Sequence, residues 1–295
     1  MMNEFKNYHP LVNFLYFISV ILFSMLLMNP IMLIISLVCA VTYSVMLGGR
    51  KAIKFNLICL LPVMITASAI NMAFNHRGVT ILAYLPSGNP FTLESMVYGI
   101  AASAMIVTVI CYFSCFNSII TSDKFVYLFG KAAPSLSLIL SMSLRFVPRL
   151  KEQIVKTASV QKSMGRFGSG NIVKRAKDGM SVLSVTLTHA LESSIETADS
   201  MRGRGYGLKN RSAFSVYIFS VRDIIMLLYT AAAAVYIIIG IISGAFEFLY
   251  FPKITRINFD AYSLSVFIVY FLLCAEPILI EIAEDIRWKY LKSKI

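Results

Sequence analysis

Long runs of apolar residues, separated by shorter polar segments, dominate the pattern of the chain. Most of these runs are close to the roughly 20 residues that an α-helix needs to cross the hydrocarbon core of a bilayer. They fall near residues 11-28, 31-47, 57-74, 95-117, 223-244 and 262-280. The pattern predicts an all-α, polytopic membrane protein with about six transmembrane helices. No small-residue cleavage site follows the first run, so we expect that run to be retained as a helix.

The polar segment between the fourth and fifth runs has a different periodicity. Apolar residues recur at three- and four-residue steps from Leu136 to Met164, and again from about Asn171, a suitable N-cap, to Met201. Closely spaced glycines follow each stretch and are expected to end the helix. Two amphipathic helices of roughly 40 to 45 Å are therefore predicted, and charges along both exclude ordinary membrane spans.

The composition agrees with a membrane protein. Hydrophobic residues make up 58% of the chain, charged residues 14%, and the mean hydropathy is +0.74. These values lie far outside the range of soluble domains. We predict three regions, namely N-terminal transmembrane helices in 1-120, a cytoplasmic coupling-helix region in 121-222, and C-terminal transmembrane helices with a cytoplasmic tail in 223-295.

The distribution of basic residues predicts the orientation in the cell membrane. Between 118 and 222 there are 16 Lys/Arg against 6 Asp/Glu, a net charge of +10 out of +12 for the chain. Further basic clusters follow the second and last runs, and basic residues in short loops remain on the cytoplasmic side. Both termini are therefore expected in the cytoplasm. Arg77 in one outer loop, and Lys253 and Arg256 in another, are exceptions to this rule. Asn71 and Asn75 are interpreted as a polar helix end facing the outer loop.

Several kinds of chemistry find no support in the sequence. The basic charge is explained by membrane topology, and no nucleic-acid recognition pattern accompanies it. The five cysteines lie in apolar runs, and the three histidines are scattered, so no metal site is predicted. Contact of the basic stretch with the lipid bilayer is expected in addition to any protein partner.

The ends of the two amphipathic helices carry the most specific pattern. It consists of Ser143-Leu144-Arg145-Phe146-Val147-Pro148, then Gln161-Lys162-Ser163-Met164-Gly165, and finally Ala198-Asp199-Ser200-Met201-Arg202-Gly203-Arg204-Gly205-Tyr206-Gly207. Together with the flanking apolar runs, these segments resemble the T component of energy-coupling factor (ECF) transporters, the EcfT/CbiQ family. The resemblance implies a transmembrane scaffold that joins two ABC-type ATPase subunits to a small membrane-embedded S component, which captures a vitamin or metal ion.

The resemblance also implies roles for individual residues. The ATPase-docking motif would be Arg202, Gly203, Arg204 and Gly205, and the first tip would be Ser163, Met164, Gly165 and Arg166. Methionine stands at the usual arginine position of the first tip, and Arg166 follows it. No catalytic residue or cofactor is expected in this chain, because ATP and Mg would be bound by the partner ATPases. The face toward the S component would contain Leu183, Leu187, Ala190, Leu191, Ser194 and Ile195.

Other interpretations remain open at the level of the sequence. Arg202 and Arg204 would also stabilise a helix C-terminus as simple cations, by ~0.3-1 kcal/mol each. A membrane enzyme acting on lipid or polyprenyl phosphate would need acidic metal-binding clusters or a nucleophile with its base, and we find neither pattern. A stand-alone secondary transporter should show an internal repeat with charged or broken helices at the membrane midplane. The transported substrate is not encoded in this chain.

Overall fold

A computed structural model describes residues 4–84, 90–130, 134–165, 172–206, 217–244, 246, 248–255 and 260–293. The chain divides into two compact units, Met1–Thr121 with Tyr217–Ile295, and Ser122–Val216. Within the described residues the structure is almost entirely helical and has one two-stranded sheet. Together with the long apolar helices, this confirms the all-α, polytopic fold predicted from the sequence.

Nine α-helices account for most of the described chain. A short 3-10 helix, Glu4–Asn7, precedes them, and a π-helical turn, Asn56–Leu60, joins the second to the third. Strands β1 (Ile81–Tyr84) and β2 (Pro90–Thr92) form an antiparallel pair between the third and fourth. The helices are α1 (Pro10–Leu26), α2 (Pro30–Phe55), α3 (Leu61–Phe74), α4 (Leu93–Ile119), α5 (Ser122–Gly130), α6 (Pro134–Ser163), α7 (Ile172–Gly203), α8 (Val221–Ile242) and α9 (Ala261–Lys292).

Side-chain caps determine where several helices of the first unit begin. The side chains of His9, Asn29 and Thr92 each accept a hydrogen bond from a backbone N–H in the first turn. Pro10 and Pro30 directly follow two of these caps, where a missing N–H costs nothing. The start of each helix is therefore encoded locally.

The chain is kinked sharply inside α2, at two adjacent glycines, Gly48 and Gly49. Gly49 has φ 54° and ψ −136°, a conformation that side-chain-bearing residues rarely adopt. A Cβ atom on Gly48 would lie 2.8 Å from the Cβ of Ala52. Both positions thus require glycine, and they divide a helical stretch of 45 residues, Pro30–Phe74, into two arms.

The α2 arm runs parallel to α4. The Cys111 thiol donates a hydrogen bond to the Ala40 carbonyl oxygen, with 3.3 Å between sulfur and oxygen. Nearer the start of both helices, Leu33 and Ala101 pack in the same small hydrophobic cluster. The order of these contacts along the two helices shows that they point the same way.

The α3 arm runs antiparallel to α4. The Ser95 hydroxyl, near the start of α4, donates a hydrogen bond to the carbonyl oxygen of Asn75, which caps the end of α3. One turn further along α4, Gly99 allows close approach, since a Cβ there would lie 3.2 Å from the Ser68 carbonyl oxygen. The α2 and α3 arms therefore run in opposite directions, and the second and third apolar runs form separate passes.

The described helices include four stretches long and apolar enough to cross a membrane. They are Pro30–Phe74, Leu93–Ile119, Val221–Ile242 and Ala261–Lys292, while the apolar helix Pro10–Leu26 has only 17 residues. Because Pro30–Phe74 contains two arms, the six predicted runs correspond to six apolar helices. That each of them crosses the bilayer stays a prediction.

Both chain ends of the first unit lie at the same end of its helix bundle. The backbone N–H of His9, at the start of α1, donates to the Asp223 carboxylate in the first turn of α8, over 2.9 Å. The hydroxyls of Tyr236 and Ser265, 2.8 Å apart, join the later part of α8 to the first part of α9. Since α8 leads away from the His9 end, α9 returns toward it.

The second unit consists of α5, α6 and α7. Gln161 Nε2, near the end of α6, donates to Ser181 Oγ in the first part of α7 over 3.4 Å. Phe146 of α6 and Ser193 of α7 line the same narrow groove further along. The two long helices are therefore antiparallel. They correspond to the two amphipathic helices predicted from the sequence. The predicted N-cap, Asn171, lies outside the described residues.

Candidate partner-docking site

The end of α7 is built as a Schellman cap. The N–H of Gly205 donates to the Arg202 carbonyl oxygen over 2.9 Å, and the N–H of Tyr206 donates to that of Met201 over 3.0 Å. Gly205 has φ +77°, the left-handed conformation that this cap requires. Arg204 is therefore the C-cap residue, directly after Gly203, the last residue of α7.

The end of α6 repeats this geometry. Gly165 has φ +76°, and its N–H donates to the Lys162 carbonyl oxygen over 3.0 Å. The N–H of Met164 donates four residues back over 3.1 Å, as does the N–H of Arg204 in α7. Met164 therefore occupies the same position in its cap as Arg204. Arg166 and Gly207 lie outside the described residues.

The side chains at the two tips are accessible. Met164 is 74% exposed, and Arg204 is also exposed. Arg202 forms an ion pair with Asp199 over 3.9 Å, in which both side chains are largely exposed, so the pair contributes little stability. Within the described residues Arg204 forms no ion pair. Arg204 is thus the better placed of the two arginines for binding a partner.

The two tips lie toward opposite ends of the helix pair. Gln161, one turn before the α6 tip, contacts Ser181 of α7, and 22 residues separate Ser181 from Gly203. At 1.5 Å per residue this distance is about 33 Å. Because the helices are antiparallel, one compact surface patch on a partner could not bind both tips. The geometry suits two separate binding surfaces.

A stripe of large apolar side chains runs along α7, outside its contact with α6. Val182 and Thr186 are buried, whereas four residues spaced by four positions are strongly exposed. The exposed fractions are 47% for Leu183, 58% for Leu187, 61% for Leu191 and 64% for Ile195. An apolar stripe of this length indicates an interaction surface.

The two small residues predicted on this face differ in their surroundings. Ser194 is exposed, and its hydroxyl donates to the Ala190 carbonyl oxygen over 2.7 Å. Ala190 itself is half-buried and lines the groove shared with Phe146 and Leu150 of α6. The structure thus places Ala190 at the edge between the stripe and the α6 contact.

The sequence places the acidic residue Glu276 near the cytoplasmic end of the last apolar run, where helix-end packing is favoured over a functional role. Glu276 is 2% exposed, and neither of its carboxylate oxygens has a hydrogen-bond partner in the part of the chain that the structure describes. Glu276 is the single charge within the apolar run 262-280. Among the described residues, no group of three or more His, Cys, Asp or Glu side chains could hold a metal ion.

The fold and the site together define a class, a polytopic helical membrane protein with an amphipathic helical unit that presents two capped tips. No family model matches the chain. The chain is 35% identical over 104 residues to the energy-coupling factor transporter transmembrane protein EcfT of Lactobacillus helveticus. The aligned residues make up 35% of this chain and 38% of that protein.

The proteins of the same name from Streptococcus equi and Staphylococcus aureus are similar over comparable lengths. The first is 30% identical over 115 residues, 38% of this chain and 40% of the relative, and the second is 32% identical over 111 residues, 37% and 41% respectively. The chain thus spans about two fifths of the length of these curated relatives. The matches confirm the resemblance to the T component of ECF transporters over about a third of the chain.

Proposed function

We propose that this protein is the transmembrane scaffold (T) subunit of an ECF-type ABC importer in the cell membrane. It would couple ATP hydrolysis by two partner ATPase subunits to movement of an S component that carries a vitamin or a metal ion. The termini of the chain would face the cytoplasm, on the same side as the ATPases.

The observation that carries this proposal is the matched pair of capped tips. Both helices end in a glycine with positive φ, and both present an exposed residue, Met164 or Arg204, at the same cap position. An ordinary helix end needs a cap, but it does not need an exposed residue at one particular cap position. Two equivalent tips more than about 30 Å apart fit two separate grooves on a pair of partner subunits.

The chemistry of the second tip suits a groove that contains a carboxylate. An arginine guanidinium offers a planar fork of donors for bidentate pairing with a carboxylate. Gly203 and Gly205 carry no side chain beside Arg204, and a Cβ on Gly203 would meet nothing within 4 Å. The partner's backbone could therefore approach the end of the helix closely.

Coupling would be mechanical. When the ATPase pair closes on ATP, the two docked tips would move relative to each other, and α6 and α7 would transmit that movement. The exposed stripe Leu183, Leu187, Leu191 and Ile195 would repack against the S component. Because the helices contact each other through a few side chains, such as Gln161 and Ser181, limited sliding is compatible with their geometry.

The experiment that tests this function is co-purification from the native membrane. The tagged chain would be extracted in a mild detergent, and its partners identified by mass spectrometry. Recovery of one or two ABC ATPases and a small apolar membrane protein is the expected result, and the small protein would identify the cargo. If the ATPases are present in the cell but absent from the eluate, the scaffold role is wrong.

A further inference from the structure

A groove of about 720 Å³ opens in the first unit, at the end of its bundle opposite to His9. Its wall is formed by the last turns of α3, the first turns of α4 and the segment before α9. The lining residues are Ala67, Ile70, Asn71, Phe74, Asn75, Arg77, Tyr98 and Phe251. None of them belongs to the proposed docking tips.

The polar side chains of the groove are mainly hydrogen-bond donors. Arg77 is exposed and forms no ion pair within the described residues. The Asn75 Oδ1 atom accepts the N–H of Arg77 over 3.3 Å, so its amide nitrogen remains available as a donor. The Asn71 Oδ1 atom, close to Gly99, is buried and has no hydrogen-bond partner among the described residues, so the amide nitrogen is the donor that this side chain offers.

Among the residues that the structure describes, no carboxylate lines the groove. The nearby Glu94 is buried and is held by Thr80, whose hydroxyl donates to it over 2.7 Å and whose N–H also donates to it. A set of donors with one guanidinium and no acidic neighbour in the lining is suited to an anion with several acceptor oxygens, such as a phosphate group.

The remaining wall is apolar and aromatic. The rings of Tyr98 and Phe251 lie 5.3 Å apart, and Phe74 and Ile70 are 81% and 60% exposed. Tyrosine rings near the end of a membrane-length helix, such as Tyr98 in the second turn of α4, lie at the height of lipid headgroups. A soluble phosphate compound would leave this apolar wall unoccupied, whereas an acyl chain would cover it.

We propose that this groove binds an anionic phospholipid, with the phosphate at Arg77, Asn71 and Asn75 and an acyl chain along Ile70 and Phe74. The proposal does not depend on the scaffold role, because it concerns other residues in a different unit. The proposal explains why Arg77 lies in a predicted outer loop, although basic residues in short loops usually remain on the cytoplasmic side.

The purified full chain in a neutral detergent can be titrated with phosphatidylglycerol or with phosphatidylcholine of the same acyl chains, and bound lipid counted by native mass spectrometry. We expect tighter binding of phosphatidylglycerol, and a loss of about tenfold or more in Arg77→Gln, since the charge-assisted hydrogen bonds are removed. Lys253→Gln is the matched control, because it removes the same charge at the same end of the bundle outside the groove.

Three results would overturn the proposal. Equal losses in Arg77→Gln and Lys253→Gln would mean that only general surface charge attracts the lipid. Displacement of the lipid by glycerol 3-phosphate at similar concentration would mean that the groove takes a soluble phosphate instead. A second variant, Asn71→Leu, should also weaken phosphatidylglycerol binding, because it removes the amide donor. Leucine has a shape similar to that of asparagine, so the contact between α3 and α4 is preserved. Unchanged binding in both Asn71→Leu and Arg77→Gln would likewise refute the site.

Discussion

Met164 and Arg204 occupy equivalent positions at the ends of two helices, yet they offer a partner different chemistry. Arginine provides a permanent charge and a rigid set of donors, whereas methionine provides a flexible thioether that fills apolar gaps. If both tips dock, the groove that receives Met164 needs no carboxylate, and the one that receives Arg204 does. The asymmetry is a property of this chain, because the usual pattern has arginine at both tips.

The first prediction concerns Arg204 itself. Arg204→Ala should weaken association with the ATPase by ~2-5 kcal/mol, because truncation leaves a partly desolvated carboxylate unpaired in the groove. Titration of the purified chain with the co-purified ATPase measures this loss. Lys151→Ala, which removes an exposed charge from the middle part of α6, is the control and should bind normally. An unchanged affinity of Arg204→Ala would remove this residue from the docking site.

The second prediction compares two glycines of α7. Gly205→Ala places an L-residue at φ +77° and should cost about 1-2 kcal/mol. Gly179→Ala lies in the helix interior, where a Cβ meets nothing within 4 Å, and should stabilise α7 by about 1 kcal/mol. Hydrogen exchange of α7 amides should therefore become faster near Gly205 in the first variant and slower around Gly179 in the second. Unchanged or slower exchange near Gly205 in Gly205→Ala would contradict the cap geometry.

At the scale of the element, α7 has two distinct faces. Val182 and Thr186 are buried against α6, and the stripe from Leu183 to Ile195 is displaced from them and exposed. Exposing a large apolar side chain to water at every fourth position is unfavourable for a helix that has no partner on that face. We therefore propose that this stripe contacts the S component, while the tip would dock to the ATPase.

The third prediction separates these two functions of α7. Leu187→Glu should abolish co-purification of the S component, because the contact would bury an unpaired carboxylate. It should leave the ATPases bound, since the tip is unchanged. Val185→Glu is the matched control, because Val185 is 51% exposed on the same helix but lies off the stripe. Equal losses in the two variants would indicate general damage to α7 and not a specific contact.

At the scale of the whole chain, the contacts of the first unit require six apolar helices with alternating directions. The reversal at Gly48 and Gly49 brings Arg50, Lys51 and Lys54 to the same end as the start of α1. That end would face the cytoplasm according to the distribution of basic residues. The groove around Arg77 then faces the outside.

The fourth prediction tests this topology. A C-terminal green fluorescent protein fusion should be fluorescent, and an alkaline phosphatase fusion at the same point inactive, because both reporters would lie in the cytoplasm. Fusions truncated after Asn75 should show the opposite result, because that position lies beyond the α3 arm. If the Asn75 fusion behaves like the C-terminal one, α2 and α3 do not form two passes.

The sequence by itself determined the class of protein, the apolar helices and the two amphipathic ones. Hydrophobic periodicity and closely spaced glycines are local signals, so they can be read without knowing any contact. The tip residues Met164 and Arg204 were likewise found from the sequence, through a resemblance carried by adjacent residues.

Only the tertiary structure decided which faces of these helices are buried and in which directions the helices run. Whether α2 and α3 form one long helix or two antiparallel arms depends on φ at Gly49 and on contacts with α4. The groove around Arg77 combines residues from α3, α4 and the segment before α9, which are up to 184 positions apart in the chain. Such a site has no local pattern, because its members are brought together only by the packing of helices that are distant in sequence.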